Sequence, residues 1–523
     1  MIISDLISRK ELTVIMEIKI LENEYWYGGA AYRAARQPYD AHSEEIIEFR
    51  LDMAQKEDFD ICCEQVSPLF LSSKGRCIYG RKLFRIEFKS GIIRITGEDV
   101  IFTDNHKTLK GAQLFAAKNY FSQNTDIPNE SFFRFPQFNS WIELGQNQSQ
   151  EGILKYAEGI VKNGFKPGVL MIDDGWDEYF GSFEFHSGKF SQPKEMVEKL
   201  HEMGFKVMLW VSPFITMDTP VFRELNKCGY LICTDGRPAA KAWWNGYSAM
   251  LDLTNPQAAD YFADRLHYLM NTYGIDGFKF DAGGAGTYSI NDDIYKKLPA
   301  IEQTKIYDEF GLNFEFHELR PAYNMAGTPL VSRLQDKVCQ WTKKGIQGLI
   351  PESLIQGLVG YFFGCPDMVG GGDIGSFIND TTDNELFVRW TQASALCPMI
   401  QFSAAPWRVL TEESFRAVKK VLDIREKYTD LILALAKNAA ETGEPVMRMM
   451  EYEFPEQGFE RVMDQFMLGS SIMAAPITEQ GMTSREVKIP EGRWKCSDGK
   501  EYNGGKSYNI SCPLDELLIF EKI

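Results

Sequence analysis

A chain of 523 residues is too long for one hydrophobic core, because such cores stop growing at roughly 250 to 300 residues. We therefore expect two or three domains. The formal charge of -17 disfavours nucleic acid and anionic membrane surfaces as partners, and a composition with 44% hydrophobic and 25% charged residues is typical of a globular protein.

The sequence shows no clear targeting signal, membrane-spanning segment or metal-binding motif. Charges at Asp5, Arg9, Lys10, Glu11 and Glu17 interrupt the first twenty residues, so we predict no cleaved secretory signal. No stretch reaches the roughly 18 charge-free apolar residues of a spanning helix. The ten cysteines lack CxxC spacing, which indicates reduced thiols and a cytoplasmic protein. Without a Cys/His set at ligand spacing, we expect no metal and no other cofactor.

Three regions follow one another along the chain. Alternating residues such as Phe84-Arg-Ile-Glu-Phe88 predict an N-terminal β-sandwich over residues 1–125. Apolar runs then alternate with amphipathic segments over residues 126–428, which favours a (β/α)8 barrel, with a doubly wound open sheet as the alternative. Residues 429–523 return to strand patterns and predict a C-terminal β-sandwich.

Eight apolar runs are the predicted barrel strands: Phe138–Leu144, Gly168–Asp174, Lys206–Phe214, Gly277–Asp281, Phe314–Arg320, Leu330–Leu334, Phe363–Met368 and Met399–Ser403. The predicted helices include several that open with proline, as helix starts often do: Glu151–Asn163, Pro193–Met203, Pro256–Thr272, Pro351–Tyr361 and finally Glu412–Ala436.

Carboxylates close several of these strands, at the barrel end where active sites form. Asp173 and Asp174 follow the second strand, Asp281 the fourth and Asp367 the seventh. Lys279 shares a strand face with Asp281, so we expect it to balance the Asp281 charge and keep that carboxylate ionised. The alternative is that Asp281 only caps the next helix.

Tryptophans near these carboxylates indicate a sugar site, since pyranose rings present apolar faces. Either Trp243 or Trp244 is a candidate for stacking, whereas we expect Trp210 and Trp390 in the core. Asp173 and Asp174 are adjacent, so only one of them can point into the barrel mouth to bind hydroxyl groups. Glycoside hydrolysis then requires a second carboxylic acid facing the first.

The sequence resembles glycoside hydrolase family 31 from about residue 125 onwards. The resemblance is carried by Leu209-Trp-Val-Ser-Pro-Phe214, Leu251-Asp-Leu-Thr-Asn-Pro256, Gly277-Phe-Lys-Phe-Asp-Ala-Gly283, Arg389-Trp390 and Asp464-Gln-Phe-Met-Leu-Gly469. It implies that Asp281 is the nucleophile of a retaining, exo-acting α-glycosidase that forms a covalent glycosyl-enzyme. Most members place the general acid in a Trp-x-Gly-Asp pattern, but the matching stretch here is Trp341-Thr-Lys-Lys344.

That departure resembles the branch with the myogenesis-regulating glycosidase and bacterial α-galactosidases. The likeness implies Arg320 as the arginine of a strand end, Asp336 as the acid/base and Trp244 as the stacking residue. Glu318 and Glu352 are the competing candidates for the acid.

The same likeness implies a terminal α-galactoside of a small oligosaccharide or glycoside as substrate. Asp173 or Asp174, Lys279 and Arg320 are the candidates for binding its hydroxyl groups, and Asp367 is a candidate substrate or structural ligand. The alternatives are an α-glucosidase, α-xylosidase or sulfoquinovosidase, or a sugar-binding protein without activity. Assembly of several copies of the chain into a homo-oligomer is left open by the sequence.

Overall fold

The structure is a computed structural model that describes residues 14–49, 65–377 and 382–523. Asp5, Arg9, Lys10 and Glu11, on which part of the signal-peptide prediction rests, lie outside these ranges. Within them, every helix is too short or too polar to cross a membrane.

The N-terminal region contains two four-stranded antiparallel sheets that enclose an apolar core with Trp26, Phe70 and Phe84 at its centre. One feature differs from the all-β expectation: the helix Leu109–Tyr120, whose Ala-rich face is buried and whose first turn is capped by Thr108. The strands are Val14–Lys19, Trp26–Ala30, Glu45–Glu48, Val66–Ser72, Cys77–Gly80, Phe84–Lys89, Ile92–Gly97 and Val100–Thr103.

Eight parallel strands form the central barrel, in the order in which they follow along the chain. Strand 8 pairs with strand 1, and the circle closes between strands 7 and 8 where the Val369 amide donates to the Gln401 carbonyl at 2.8 Å. Each of the eight predicted strands overlaps an observed one, but the second half of the first prediction, Trp141–Leu144, is a helix. The observed strands are Gln137–Asn139, Val169–Ile172, Lys206–Val211, Gly277–Phe280, Phe316–Leu319, Ser332–Arg333, Gly364–Cys365 and Gln401–Phe402.

Helices surround the barrel, and one of them begins earlier than predicted. Pro351 lies inside the helix Ile346–Leu358 rather than at its start, because this segment is buried nearly all round and its packing, not the proline, sets its limits. The other helices are Ser131–Arg134, Trp141–Leu144, Gln150–Lys162, Pro193–Glu202, Pro220–Cys228, Pro256–Tyr273, Ala300–Gly311, Asn384–Ser394, Pro406–Val409 and Glu412–Thr442.

The C-terminal region packs a six-stranded and a two-stranded sheet around Trp494 and Phe520. The helix Glu412–Thr442 leads into it without interruption, so residue 428, the predicted end of the barrel, lies within a helix. A short helix, Met450–Glu453, follows the first strand. The strands are Met447–Met449, Phe466–Leu468, Ile472–Ala474, Ser484–Ile489, Arg493–Cys496, Glu501–Asn503, Lys506–Ser511 and Ile519–Lys522.

A β-hairpin between barrel strands 3 and 4 overlies the strand ends. Its strands Lys241–Trp243 and Gly246–Met250 pair antiparallel, and Gly246 turns the chain with a φ of 96°. Lys241 Nζ anchors the hairpin by contacting both oxygens of Asp292 at 2.5 and 2.6 Å. Both side chains are largely buried, so the hairpin tip has a fixed base. A second strand pair, Phe214–Ile215 with Met250, continues it; Cys233–Thr234 and Arg237–Pro238 form a separate short hairpin.

Candidate active site

Asp281 follows barrel strand 4, and its two carboxylate oxygens have different surroundings. Oδ1 accepts hydrogen bonds from the Ala282 amide at 2.7 Å and from Arg320 Nε at 2.9 Å, with Arg320 Nη2 at 2.7 Å. Oδ2 accepts from Trp210 Nε1 at 3.1 Å. Oδ2 is thus the less engaged oxygen, and the one better placed to attack a ligand.

The turn after Asp281 is held in an uncommon conformation. Ala282 and Gly283 have positive φ angles of 57° and 69°, and the Tyr307 hydroxyl donates to the Asp281 carbonyl at 3.0 Å. A Cβ at position 283 would lie 2.5 Å from the Tyr307 ring, so only glycine fits here. The fixed turn sets the direction of the Asp281 side chain.

Charge keeps Asp281 ionised. Burial raises the pKa of this carboxyl, but the nearby Arg320, Lys279 and Arg333 outweigh burial and hold the pKa well below its usual range. An ionised carboxylate in a desolvated site is a competent nucleophile.

Lys279 and Asp173 form a buried ion pair beneath the site. Lys279 Nζ contacts Asp173 Oδ2 at 2.6 Å, and both side chains are only 3% exposed. The predicted charge balance between Lys279 and Asp281 is therefore indirect, because the direct partner of Lys279 is Asp173. The other Asp173 oxygen accepts from the Asp174 amide at 2.9 Å, so Asp173 shapes the strand end rather than facing a ligand.

Asp174 is the member of the adjacent pair that has an oxygen to spare. Its Oδ2 accepts from Asn245 Nδ2 at 2.8 Å, whereas Oδ1 is buried and finds no hydrogen-bond donor among the described residues. Burial raises the pKa of Asp174 to about 6. A buried acceptor without a donor is costly, and a substrate hydroxyl would satisfy it.

Trp244 lies exposed at the tip of the hairpin. Its side chain is 53% exposed, and the Arg320 guanidinium carbon lies 5.5 Å from its ring centroid. Trp243 instead stacks on Phe214 with ring centroids 4.1 Å apart and donates to Ser248. The structure therefore separates the two tryptophans: Trp243 packs under the hairpin, and Trp244 is the one available to a ligand.

Arg333 contacts three carboxylates through one guanidinium. Its guanidinium is fully buried, and Nη1 contacts Asp367 at 2.6 Å and Asp336 at 2.9 Å, while Nε lies 3.3 Å from Glu318. The same guanidinium lowers the pKa of Asp281. Asp336 thus contacts a cation that also acts on the charge of Asp281, and the Asp336 side chain is 38% exposed.

The two competing acids are engaged inside the protein. Glu318 accepts from Gln401 Nε2 at 2.7 Å, and Glu352 pairs with Lys337 Nζ at 2.6 Å. Burial raises the pKa of both carboxyls, and both residues are nearly inaccessible. Asp336 is the most accessible of the three candidates.

Asp367 does not face a ligand, contrary to the expectation that it contacts substrate. It has no exposed surface, and its Oδ2 accepts from the amides of Lys337 and Gly372, both at 2.6 Å. Its Oδ1 contacts Arg333. A carboxylate so engaged holds the protein's own loops.

Sequence reasoning missed three contributors. Trp210 is buried as expected for a core residue, yet its indole N–H binds Asp281. Asn245 stands before Gly246, and an Asn-Gly pair is a hairpin signal that could have placed it. Arg333 is a cation within a buried strand, which calls for carboxylate partners. Within the described ranges, no group of three or more His, Cys, Asp or Glu side chains could hold a metal ion.

Comparisons with solved structures show the fold. A family 31 dextranase of Flavobacterium johnsoniae, complexed with glucose, superposes with a TM-score of 0.82 at 20% identity, over 97% of this chain and 66% of that one. An α-xylosidase from a soil metagenome, complexed with xylose, gives 0.82 at 19% identity, over 97% and 79%.

Two curated relatives match much of the sequence. The myogenesis-regulating glycosidase of Mus musculus is 30% identical over 419 residues, 78% of this chain and 58% of its own. The α-xylosidase XylQ of Lactiplantibacillus pentosus is 25% identical over 503 residues, 86% and 61% respectively. The chain therefore spans about three-fifths of the length of these relatives.

Family models match both the barrel and the C-terminal region. The model of the glycosyl hydrolases family 31 TIM-barrel domain matches residues 135–337 and 350–435. The model of the family 31 C-terminal domain matches residues 443–522. With its barrel and its C-terminal sheets both matched, the chain belongs to glycoside hydrolase family 31.

Proposed function

We propose that the protein is a retaining, exo-acting α-glycosidase with Asp281 as nucleophile and Asp336 as acid/base. The observation that carries this proposal is the contrast between the carboxylates. Asp281 is ionised, and its Oδ2 has one protein donor. Asp336 is accessible and contacts Arg333, whose guanidinium also lowers the pKa of Asp281. Retaining hydrolysis needs this pairing of an ionised carboxylate with a nearby proton donor.

The reaction proceeds in two displacements. Asp281 Oδ2 attacks the anomeric carbon while Asp336 gives its proton to the departing glycosidic oxygen. The bond from carbon to the leaving group breaks, and the sugar is held as an ester on Asp281. Asp336, now a carboxylate, takes a proton from water, whose oxygen attacks the same carbon and releases Asp281.

Sugar recognition falls to the groups around Asp281. Asp174 Oδ1 accepts a sugar hydroxyl, since it is buried and finds no donor among the described residues. Trp244 offers a ring face, and its contact with Arg320 ties that ring to the nucleophile. Lys279 and Asp173 support the floor of the site as a buried pair.

The sugar we propose is α-linked galactose. The support is the resemblance of the Lys279-Phe-Asp-Ala-Gly283 segment to the α-galactosidase branch, together with the absence of the usual Trp-x-Gly-Asp. Other family relatives are named an α-xylosidase, an α-glucosidase and a sulfoquinovosidase, so their sugars are the alternatives.

A panel of 4-nitrophenyl α-glycosides tests the proposal. We expect the wild type to release nitrophenol from the galactoside, and from the glucoside, xyloside and sulfoquinovoside far more slowly. Asp281→Ala should lose about 10⁴-fold or more in kcat, as removal of a catalytic nucleophile usually does, and azide should restore turnover as the β-galactosyl azide. Asp430→Ala, at a 93% exposed surface carboxylate, is the matched control and should behave as wild type.

The outcomes separate the alternatives. Preference for another glycoside overturns galactose but keeps the mechanism. An Asp281→Ala protein with wild-type turnover overturns the nucleophile. If the wild type cleaves none of the glycosides yet binds galactose in a calorimeter, a sugar-binding protein replaces the enzyme.

A further inference from the structure

Asp367 links the two chain segments that flank Asp336. Its Oδ2 accepts the Lys337 amide, one residue after Asp336, and the Gly372 amide, each at 2.6 Å. The Asp373 amide also donates to the Lys337 carbonyl at 3.2 Å. The fully buried Asp367 carboxylate therefore holds the backbone next to Asp336 in place.

Gly372 lies against both carboxylates. A Cβ at this position would lie 2.7 Å from Asp336 Oδ1 and 2.8 Å from Asp367 Oδ1, far inside van der Waals contact. Trp141 Nε1 donates to the Gly372 carbonyl at 3.0 Å and holds this backbone in place. Gly372 and Arg333 thus both lie against the Asp336 carboxylate.

Charge distinguishes this arrangement from simple packing. The single nitrogen Arg333 Nη1 contacts both Asp367 at 2.6 Å and Asp336 at 2.9 Å, and Glu318 lies by Nε. With Asp367 present, part of the guanidinium charge is already balanced. Without Asp367, Asp336 would be the carboxylate left at Arg333 Nη1, so its position against the guanidinium would change.

We propose that Asp367 is a positioning residue for Asp336: it shares Arg333 with Asp336 and, through Lys337 and Gly372, holds the acid/base in place for proton donation. This inference rests on the proposed function, in which Asp336 is the acid/base. Asp367 itself touches no substrate, because it has no exposed surface.

Two variants perturb the arrangement in different ways. Asp367→Asn places an amide where three donors converge, so at least one contact is lost whichever way the amide turns. Gly372→Ala keeps every charge and pushes by contact alone on Oδ1 of both Asp336 and Asp367. The backbone of Gly372 is not in the left-handed region, so alanine adds no backbone strain there and acts only through the displaced side chains. This variant stands in should Asp367→Asn fail to fold.

The measurement is kcat/KM across aglycones of falling reactivity, on the glycone that the panel identifies: 2,4-dinitrophenyl, 4-nitrophenyl, phenyl and an α-linked disaccharide. A positioned acid matters most for poor leaving groups, and general acid catalysis contributes about 10²- to 10⁴-fold. We expect both variants to stay within about threefold of wild type on the dinitrophenyl glycoside and to lose roughly 10- to 100-fold on the disaccharide. Asp336→Ala should show the same trend more strongly.

Asp308→Asn is the matched control, a buried carboxylate that accepts the Tyr323 amide at 2.9 Å. It should leave the dependence on the leaving group unchanged. Suppose that the loss in kcat/KM relative to wild type grows with poorer leaving groups in Asp336→Ala but not in Asp367→Asn and Gly372→Ala. The positioning role is then overturned and the acid assignment stands. If the loss in Asp336→Ala is the same for every leaving group, the proposed acid is wrong, which is a separate failure.

Discussion

Arg320 contacts one oxygen of Asp281 through two nitrogens, at 2.7 and 2.9 Å. We expect the loss of these two contacts to lower kcat/KM. Hydrogen bonds to charged groups contribute about 1.5–3 kcal/mol, so Arg320→Met should lower kcat/KM by about 10- to 100-fold. Arg320→Lys keeps a positive charge but loses the planar fork, and its loss should be smaller.

The pH profile gives the sign of the effect. Arg320 is the largest contributor that opposes burial and lowers the pKa of Asp281, so removing the guanidinium raises that pKa. Because the reaction needs ionised Asp281, the acidic limb of the kcat/KM profile should move to higher pH in Arg320→Met and less in Arg320→Lys. If the acidic limb does not move in either variant, the Arg320 charge does not set the pKa of Asp281.

At the scale of elements, the hairpin that carries Trp244 and Asn245 depends on the buried pair of Lys241 and Asp292. Breaking one partner of a buried ion pair leaves an uncompensated charge, so Asp292→Asn should loosen the hairpin base. We expect KM to rise on the order of tenfold while kcat changes little, as for groups that bind substrate and transition state alike.

Asp293→Asn provides the comparison for this element. Asp293 is the exposed neighbour, and its side chain accepts a long bond from the Gly236 amide at 3.3 Å, so the same chemical change there should leave KM as in wild type. Equal effects of the two variants would argue that the hairpin is not held through Asp292.

Elements were more predictable from sequence than contacts. The eight barrel strands are apolar runs bounded by turns, and such runs mark buried parallel strands directly. The start of the helix around Pro351 was misjudged because tertiary packing overrode local signals. The helix Leu109–Tyr120 does carry local signals, the Thr108 cap and its alanines, which the all-β interpretation of this region passed over. Pairings across the barrel leave no local trace: nothing near Lys279 in the sequence indicates Asp173 as its partner, or that Arg333 joins Asp336 to Asp367.

At the scale of the whole molecule, Glu451 is a buried carboxyl beside the N-terminal region. Burial, then the charge of Glu460, raises its pKa to about 8, with Lys74 opposing. A raised folded pKa means that the folded state binds the proton more tightly than the unfolded chain. This contribution to stability is therefore fully present below about pH 4.5 and is lost as pH rises to about 8.

Glu451→Gln removes that titration. The variant should therefore gain in Tm relative to wild type as pH rises from about 5 to 8, measured by calorimetry at a series of pH values. Glu501→Gln, at a surface residue paired with Arg493, should track wild type throughout. A difference in Tm that stays constant with pH would contradict a proton bound by Glu451.

The helix Glu412–Thr442 has a consequence for how the molecule comes apart. Its buried residues belong to one apolar cluster that runs from the barrel to Phe466 and Ile519 in the C-terminal sheets. Arg389, on a barrel helix, donates to the carbonyls of Met482 and Cys512 beyond it. We therefore expect the barrel and the C-terminal sheets to unfold together, in one transition.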